Sequence, residues 1–134
     1  MSPFPPIPYP HSGLISSQKL LREKRDAMLR FARASVEAIH YFKNNKTQTI
    51  AILKKYAKTD LTTLDTAHTY LKNSIPDMPY PTLEGMKTIL AEMGRTRPEV
   101  LKFDAATMVD SSIVKAIDEE RFLKKLKYRP TSKV

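Results

Sequence analysis

The chain has 134 residues, with 10 prolines, 3 glycines and neither cysteine nor tryptophan. A hydrophobic fraction of 41% and a charged fraction of 28% fit one globular domain, and no run reaches the ~20 apolar residues of a membrane-spanning helix. Lack of cysteine excludes disulfides, thiolate metal sites and thiol nucleophiles, and three glycines leave no glycine-rich phosphate loop.

Five of the ten prolines fall in the opening MSPFPPIPYP. Proline fixes φ and lacks an N–H, so this stretch is expected to be extended or polyproline-II-like. It has neither the basic n-region nor the apolar h-region of a secretion signal. Its PxxP spacings are common by chance in proline-rich sequence. His11-Ser12-Gly13 breaks the chain, and Leu14-Ile15 is at most a minimal strand.

Beyond Ser16 the pattern is helical. Ser16 or Ser17 caps a short basic helix to about Lys24. A longer helix to about Phe42 carries Met28, Phe31, Ala32, Val36, Ile39 and Phe42 on one stripe. Asn44-Asn45 ends it, because asparagine side chains compete for backbone hydrogen bonds. A third helix, about Lys46 to Ala57, buries Ile50, Leu53 and Ala57. Asp60 or Thr59 caps a fourth, with Leu61, Leu64, His68, Leu71 and Ile75 at 3-4 spacing. Pro76, Pro79 and Pro81 enforce an extended crossing, and Thr82 caps a fifth helix bearing Leu83, Met86, Leu90 and Met93. Gly85 in its first turn suits close backbone packing. Arg97-Pro98 stops that helix. Asp104 and Asp110 are candidate caps for a short turn and a sixth helix with Val109, Ile113, Ala116 and Ile117 inward. Phe122, Leu123 and Leu126 offer one further amphipathic turn.

The expected fold is therefore mainly α, with about five to six helices and at most one short strand. Its organisation is a proline-rich lead-in over 1–16, a helical domain over 17–127 and a basic tail over 128–134.

The formal charge is +9, from 23 basic and 14 acidic residues. Two patches hold most of the excess: Lys19, Arg22, Lys24, Arg25, Arg30 and Arg33 against Glu23 and Asp26, and Arg121, Lys124, Lys125, Lys127, Arg129 and Lys133 against Glu119 and Glu120. A solvated basic surface is favoured over nucleic-acid binding. The segments Tyr41-Phe42-Lys43 and Lys54-Lys55-Tyr56 resemble stacking platforms for single strands, but core packing of Phe42 and Tyr56 is the stronger reading.

The histidines at 11, 40 and 68 have no metal-ligand spacing, and no HExxH occurs. His68 lies on an apolar stripe, where a packed, hydrogen-bonded role is the default, and His40 reads as a boundary residue. His11, in a non-helical segment, is the histidine best placed for binding. Asp60, Asp65, Asp104 and Asp110 read as caps or surface charges. Glu119 and Glu120 are adjacent on a helix and do not converge. No catalytic constellation, metal site or cofactor site can be assembled.

The run HSGLISSQKLLREKRDAMLRFARASVEAIHYFKNNKTQTIAILKKYAKTD resembles part of a periplasmic substrate-binding protein of the nitrate/sulfonate/taurine ABC-importer type, a superfamily shared with the thiamin-pyrimidine synthases. The later MPYPTLEGMKTILAEMGRTRPEV and FDAATMVDSSIVKAIDEERF resemble the carboxyl-terminal region of the same family. The likeness covers roughly residues 10–125, and it rests on the order of these segments. It implies a two-lobed α/β parent (a type II periplasmic binding protein) that closes on a small ligand, with this chain corresponding to the carboxyl-terminal helical part of its first lobe. By that resemblance His11, Ser12 and Gly13 lie near the ligand cleft, and the location is periplasmic. The chain departs from the family in lacking a secretion signal, the amino-terminal strands and the second lobe.

The leading expectation is a partial, non-catalytic solute-binding component for a small organic or inorganic anion, which binds that ligand only when the missing lobes are supplied. The alternative is a standalone helical module that self-associates or binds a protein through an apolar face, with the Phe31/Val36/Ile39 stripe as its contact. Nucleic-acid binding through the basic tail is third, and an enzyme is the weakest reading.

Overall fold

A computed structural model describes residues 13–126. The chain there is mainly helical, with seven α-helices, two 3₁₀ turns and, among the described residues, no strand. The helices are α1 (Gln18–Glu23), α2 (Arg25–Asn44), α3 (Lys46–Tyr56), α4 (Leu61–Ser74), α5 (Leu83–Gly94), α6 (Ser112–Glu119) and α7 (Phe122–Lys125). The 3₁₀ turns, Pro98–Lys102 and Ala105–Met108, lie between α5 and α6. The proline-rich opening and the basic tail lie outside the described residues. Leu14-Ile15 is not a strand: both residues are exposed coil, and among the described residues there is no strand to pair with.

The helix boundaries follow side-chain chemistry. Ser17 Oγ accepts from the Leu20 N–H at 3.1 Å to start α1. Asp60 Oδ1 accepts from the Thr63 N–H at 2.8 Å at the head of α4, and Thr82 Oγ1 accepts from the Gly85 N–H at 3.2 Å at the head of α5. Each relieves one of the four N–H groups that a helix start leaves without a partner. Asp104 does the same for the Ala105–Met108 turn, through the Ala106 N–H at 2.9 Å. Asp110 reaches the Ser112 N–H at 2.7 Å from one residue before the boundary of α6. Lys24 separates α1 from α2, and this bend lets Leu21 and Met28 reach the same core.

That core is built on α2 and α6. Ala32, Val36, Ile113 and Ile117 are buried together, and Leu21, Met28, Leu29, Met78, Phe122 and Leu123 pack around them. Arg25 donates to Ser112 Oγ at 3.3 Å, and Arg33 makes a two-pronged pair with Glu120 at 2.7 and 3.2 Å. Arg25 and Arg33 are eight residues apart, as are Ser112 and Glu120, so α2 and α6 run parallel. Parallel neighbours need a long crossover, and α3 to α5 with the two 3₁₀ turns supply it. The Pro76–Pro81 crossing is non-helical, but it is not simply extended: it bends at Asp77 and Met78, where the Tyr80 N–H donates to Met78 O at 2.9 Å, and it is stitched to both core helices. Asp77 pairs with Lys43 at 2.6 Å, Met78 joins the core, and the Tyr80 hydroxyl donates to Asp118 at 2.8 Å.

Several expected core positions face solvent. Phe31 is 57% exposed although its stripe-mates Ala32 and Val36 are buried. Leu61, Leu71, Leu83 and Met93 are also exposed, and in α3 the buried residue is Thr49, with Ile50, Leu53 and Ala57 only half-buried. The reason is a shortage of partners: α5 packs chiefly on the two 3₁₀ turns and α3 on α4, so each helix has one covered edge where a deeper core would cover a whole face. Gly85 is buried, in keeping with the close packing expected there.

Candidate functional site

Of the three residues expected near a ligand, His11 and Ser12 lie outside the described residues. Gly13 is exposed coil, and a Cβ placed on it would meet nothing within 4 Å.

The buried polar chemistry lies elsewhere, at the carboxyl end of α2. Tyr41 O accepts from the backbone N–H of Asn45 and from its side-chain Nδ2, each at 3.0 Å. Phe42 O accepts from His68 Nε2 at 2.8 Å and, at the long distance of 3.5 Å, from Thr49 Oγ1. Asn44 Nδ2 donates to His40 O at 2.8 Å and lies 3.3 Å from His40 Nδ1. The last carbonyls of a helix have no helical partner. Asn45, Thr49 and His68 are the buried polar side chains among the described residues, and all three serve these carbonyls. Asparagine thus ends α2 by the competition expected of it, and His68 is the packed, hydrogen-bonded histidine its stripe predicts.

A carbonyl can only accept, so the contact places a proton on His68 Nε2. Nδ1 of the same ring is buried with no hydrogen-bond partner. The arrangement joins α2, α3 and α4, and it aims no acid, base or nucleophile at a cavity.

Several other charged groups are structural. Asp65 pairs with Lys46 at 2.6 Å, joining α3 and α4. Hydrogen bonds from Thr63 hold the Asp60 carboxyl below its ordinary range, and those from Ser112, with Arg25 nearby, do the same for Asp110. Arg33 lowers Glu120 through its paired hydrogen bonds, whereas Glu119 turns toward Lys115, so the two glutamates diverge. The bond to Asp118 raises the Tyr80 phenol. Phe42 lies tilted on His68, as core packing predicts, but Tyr56 is 83% exposed and belongs to no core edge. Sequence periodicity places Tyr56 near an apolar stripe, yet it is the last residue of α3 and nothing packs over it.

Two surface concavities among the described residues carry charged groups. One is lined by His40, Lys43, Asn44, Lys72, Asp77 and Leu123, and its Lys43 is already neutralised by Asp77. The other is lined by Arg22, Lys24, Arg25 and Arg30 with Glu23, Asp26 and Ala27. Among the described residues no three His, Asp or Glu side chains gather as metal ligands, and no helix is long and apolar enough to cross a membrane. Comparison with protein-family models, curated proteins and solved structures gives no match.

Proposed function

We propose that the chain is a helical part of the solute-binding component of an ABC-type importer for a small organic or inorganic anion, and that it is not itself catalytic. One observation supports the reading above the rest. Among the described residues fifteen large apolar side chains are exposed, against seven buried hydrophobic ones. Helices that stand alone bury their apolar stripes on one another, whereas helices that cover a sheet keep a face for it. The exposed Phe31, Ile52, Leu61, Leu71, Leu83, Met93, Leu101 and Phe103 are such unmet surface. The segment order described above supplies the type of parent protein.

Complementation tests this. The chain is mixed with the strand-rich amino-terminal part of a binding protein of that type. Co-purification, loss of binding to an apolar-surface dye, and recovered affinity for nitrate or a small alkyl sulfonate are the expected results. A monomer with a two-state thermal transition and no dye binding overturns the proposal.

The standalone interaction module is the second reading, and one local feature favours it. Leu83, Met93, Leu101, Phe103 and Met108 are all exposed on α5 and the segments following it, which pack chiefly on one another. It predicts concentration-dependent association that Leu101→Ser with Phe103→Ser abolishes. Val36 is 1% exposed and Ile39 half-buried, so of the stripe expected to mediate association only Phe31 is available on the surface.

A further inference from the structure

One strongly basic surface of the described residues is the elbow between α1 and α2. Lys19, Arg22, Lys24, Arg25 and Arg30 lie within it, and none has a carboxylate within ion-pair distance, whereas Arg33, Lys43, Lys46, Arg95 and Lys115 all do. Four of these five cations ring one concavity, with Glu23 and Asp26 as its acids. The elbow turns Leu21 and Met28 toward the core and leaves Lys19, Arg22, Lys24 and Arg30 exposed, while Arg25 reaches Ser112 and lies near Asp110.

The same elbow exposes aliphatic side chains. Ile15 is 100% exposed, Leu14 61% and Leu20 39%, on the segment leading into α1 and on α1 itself. Exposed aliphatics interspersed with unpaired cations match a bilayer interface carrying anionic headgroups, where the cations meet phosphates and the aliphatics enter the acyl boundary. Single-stranded nucleic acid fits less well, since it is held by stacking on successive aromatic rings, and from Leu14 to Phe31 the segment offers the single ring of Phe31.

We propose that the Leu14–Arg30 elbow docks on an anionic lipid surface, with Leu14, Ile15 and Leu20 as the inserted groups and Lys19, Arg22, Lys24, Arg25 and Arg30 as the headgroup contacts. The proposal stands apart from the solute-binding reading, and either can fail without the other.

Flotation of the full chain with vesicles tests it, using phosphatidylglycerol in phosphatidylcholine against phosphatidylcholine alone. Binding to the anionic vesicles only is expected. A cation at such a surface contributes about fivefold in affinity, so Arg22→Glu with Arg30→Glu lowers binding by at least tenfold. Lys54→Glu with Lys55→Glu makes the same change in net charge on α3 and shifts it by less than threefold. Leu14→Asp with Ile15→Asp also removes binding while the helical circular dichroism is unchanged, since neither residue is buried. The proposal is overturned by equal binding to neutral vesicles, by no binding to either, by equal losses from the two Glu pairs, or by a single-stranded oligonucleotide that outcompetes the vesicles.

Discussion

His68 grips Phe42 twice: its ring lies 4.7 Å from the Phe42 ring, centroid to centroid, and its Nε2 donates to the Phe42 carbonyl at 2.8 Å. One side chain of α4 thereby closes the open end of α2 and fills the space beside it. His68→Ala removes both, leaving a cavity and a carbonyl with only the long Thr49 contact, and is expected to cost about 2–4 kcal/mol. Urea denaturation reads the loss. His68→Phe keeps the packing and should recover only part of it.

The α2 stripe divides by burial. Ile117, which packs against Val36 and is 0% exposed, should lose about 2–5 kcal/mol when changed to Ala. Phe31→Ala on the same α2 stripe as Val36 should stay within about 0.5 kcal/mol, because Phe31 is largely in water. Paired thermal melts of the two variants make the comparison.

Three carboxyls, Asp60, Asp110 and Glu120, are held below their ordinary range in the folded chain. A depressed folded-state value means stability that is complete above the unfolded-state range and lost as pH falls through the folded one. The urea midpoint should therefore be flat near neutral pH and fall on the acid side of the ordinary carboxylate range. Asp110→Asn with Glu120→Gln should lower the neutral plateau and flatten the acid limb.

At the end of α5, a Cβ on Gly94 would lie 2.7 Å from Leu101 Cγ, inside contact distance. Leu101 is 59% exposed and free to swing away. Gly94→Ala alone should change stability little, since the displacement of Leu101 offsets the better helix propensity. Combined with Leu101→Ala, the same substitution should stabilise by up to about 1 kcal/mol. A double-mutant cycle by chemical denaturation shows the coupling.

Arg121, between α6 and α7, has φ 53° and ψ 40°, a left-handed conformation that glycine adopts without strain. Arg121→Gly is expected to stabilise by about 0.5–1 kcal/mol. A raised Tm with unchanged helicity checks it.

The helix ends were legible in the sequence because capping is local. Ser17, Asp60, Thr82 and Asp104 need only residues two or three positions away, and Asn44 and Asn45 reach back one turn. Periodicity likewise placed His68 on a buried face. It placed Phe31 there too, and wrongly, because a stripe states which residues want cover and not whether cover exists. The candidate ligand group has no such local signal: a resemblance singled out His11, Ser12 and Gly13, and the first two lie outside the described residues. What only the tertiary structure decided was long-range: the parallel pairing of α2 with α6, the threading of Asp77, Met78 and Tyr80 between them, and the convergence of Asn45, Thr49 and His68 on the end of one helix. Those contacts join residues up to 87 positions apart, where no local spacing carries a signal and the competition for a limited apolar surface sets the outcome.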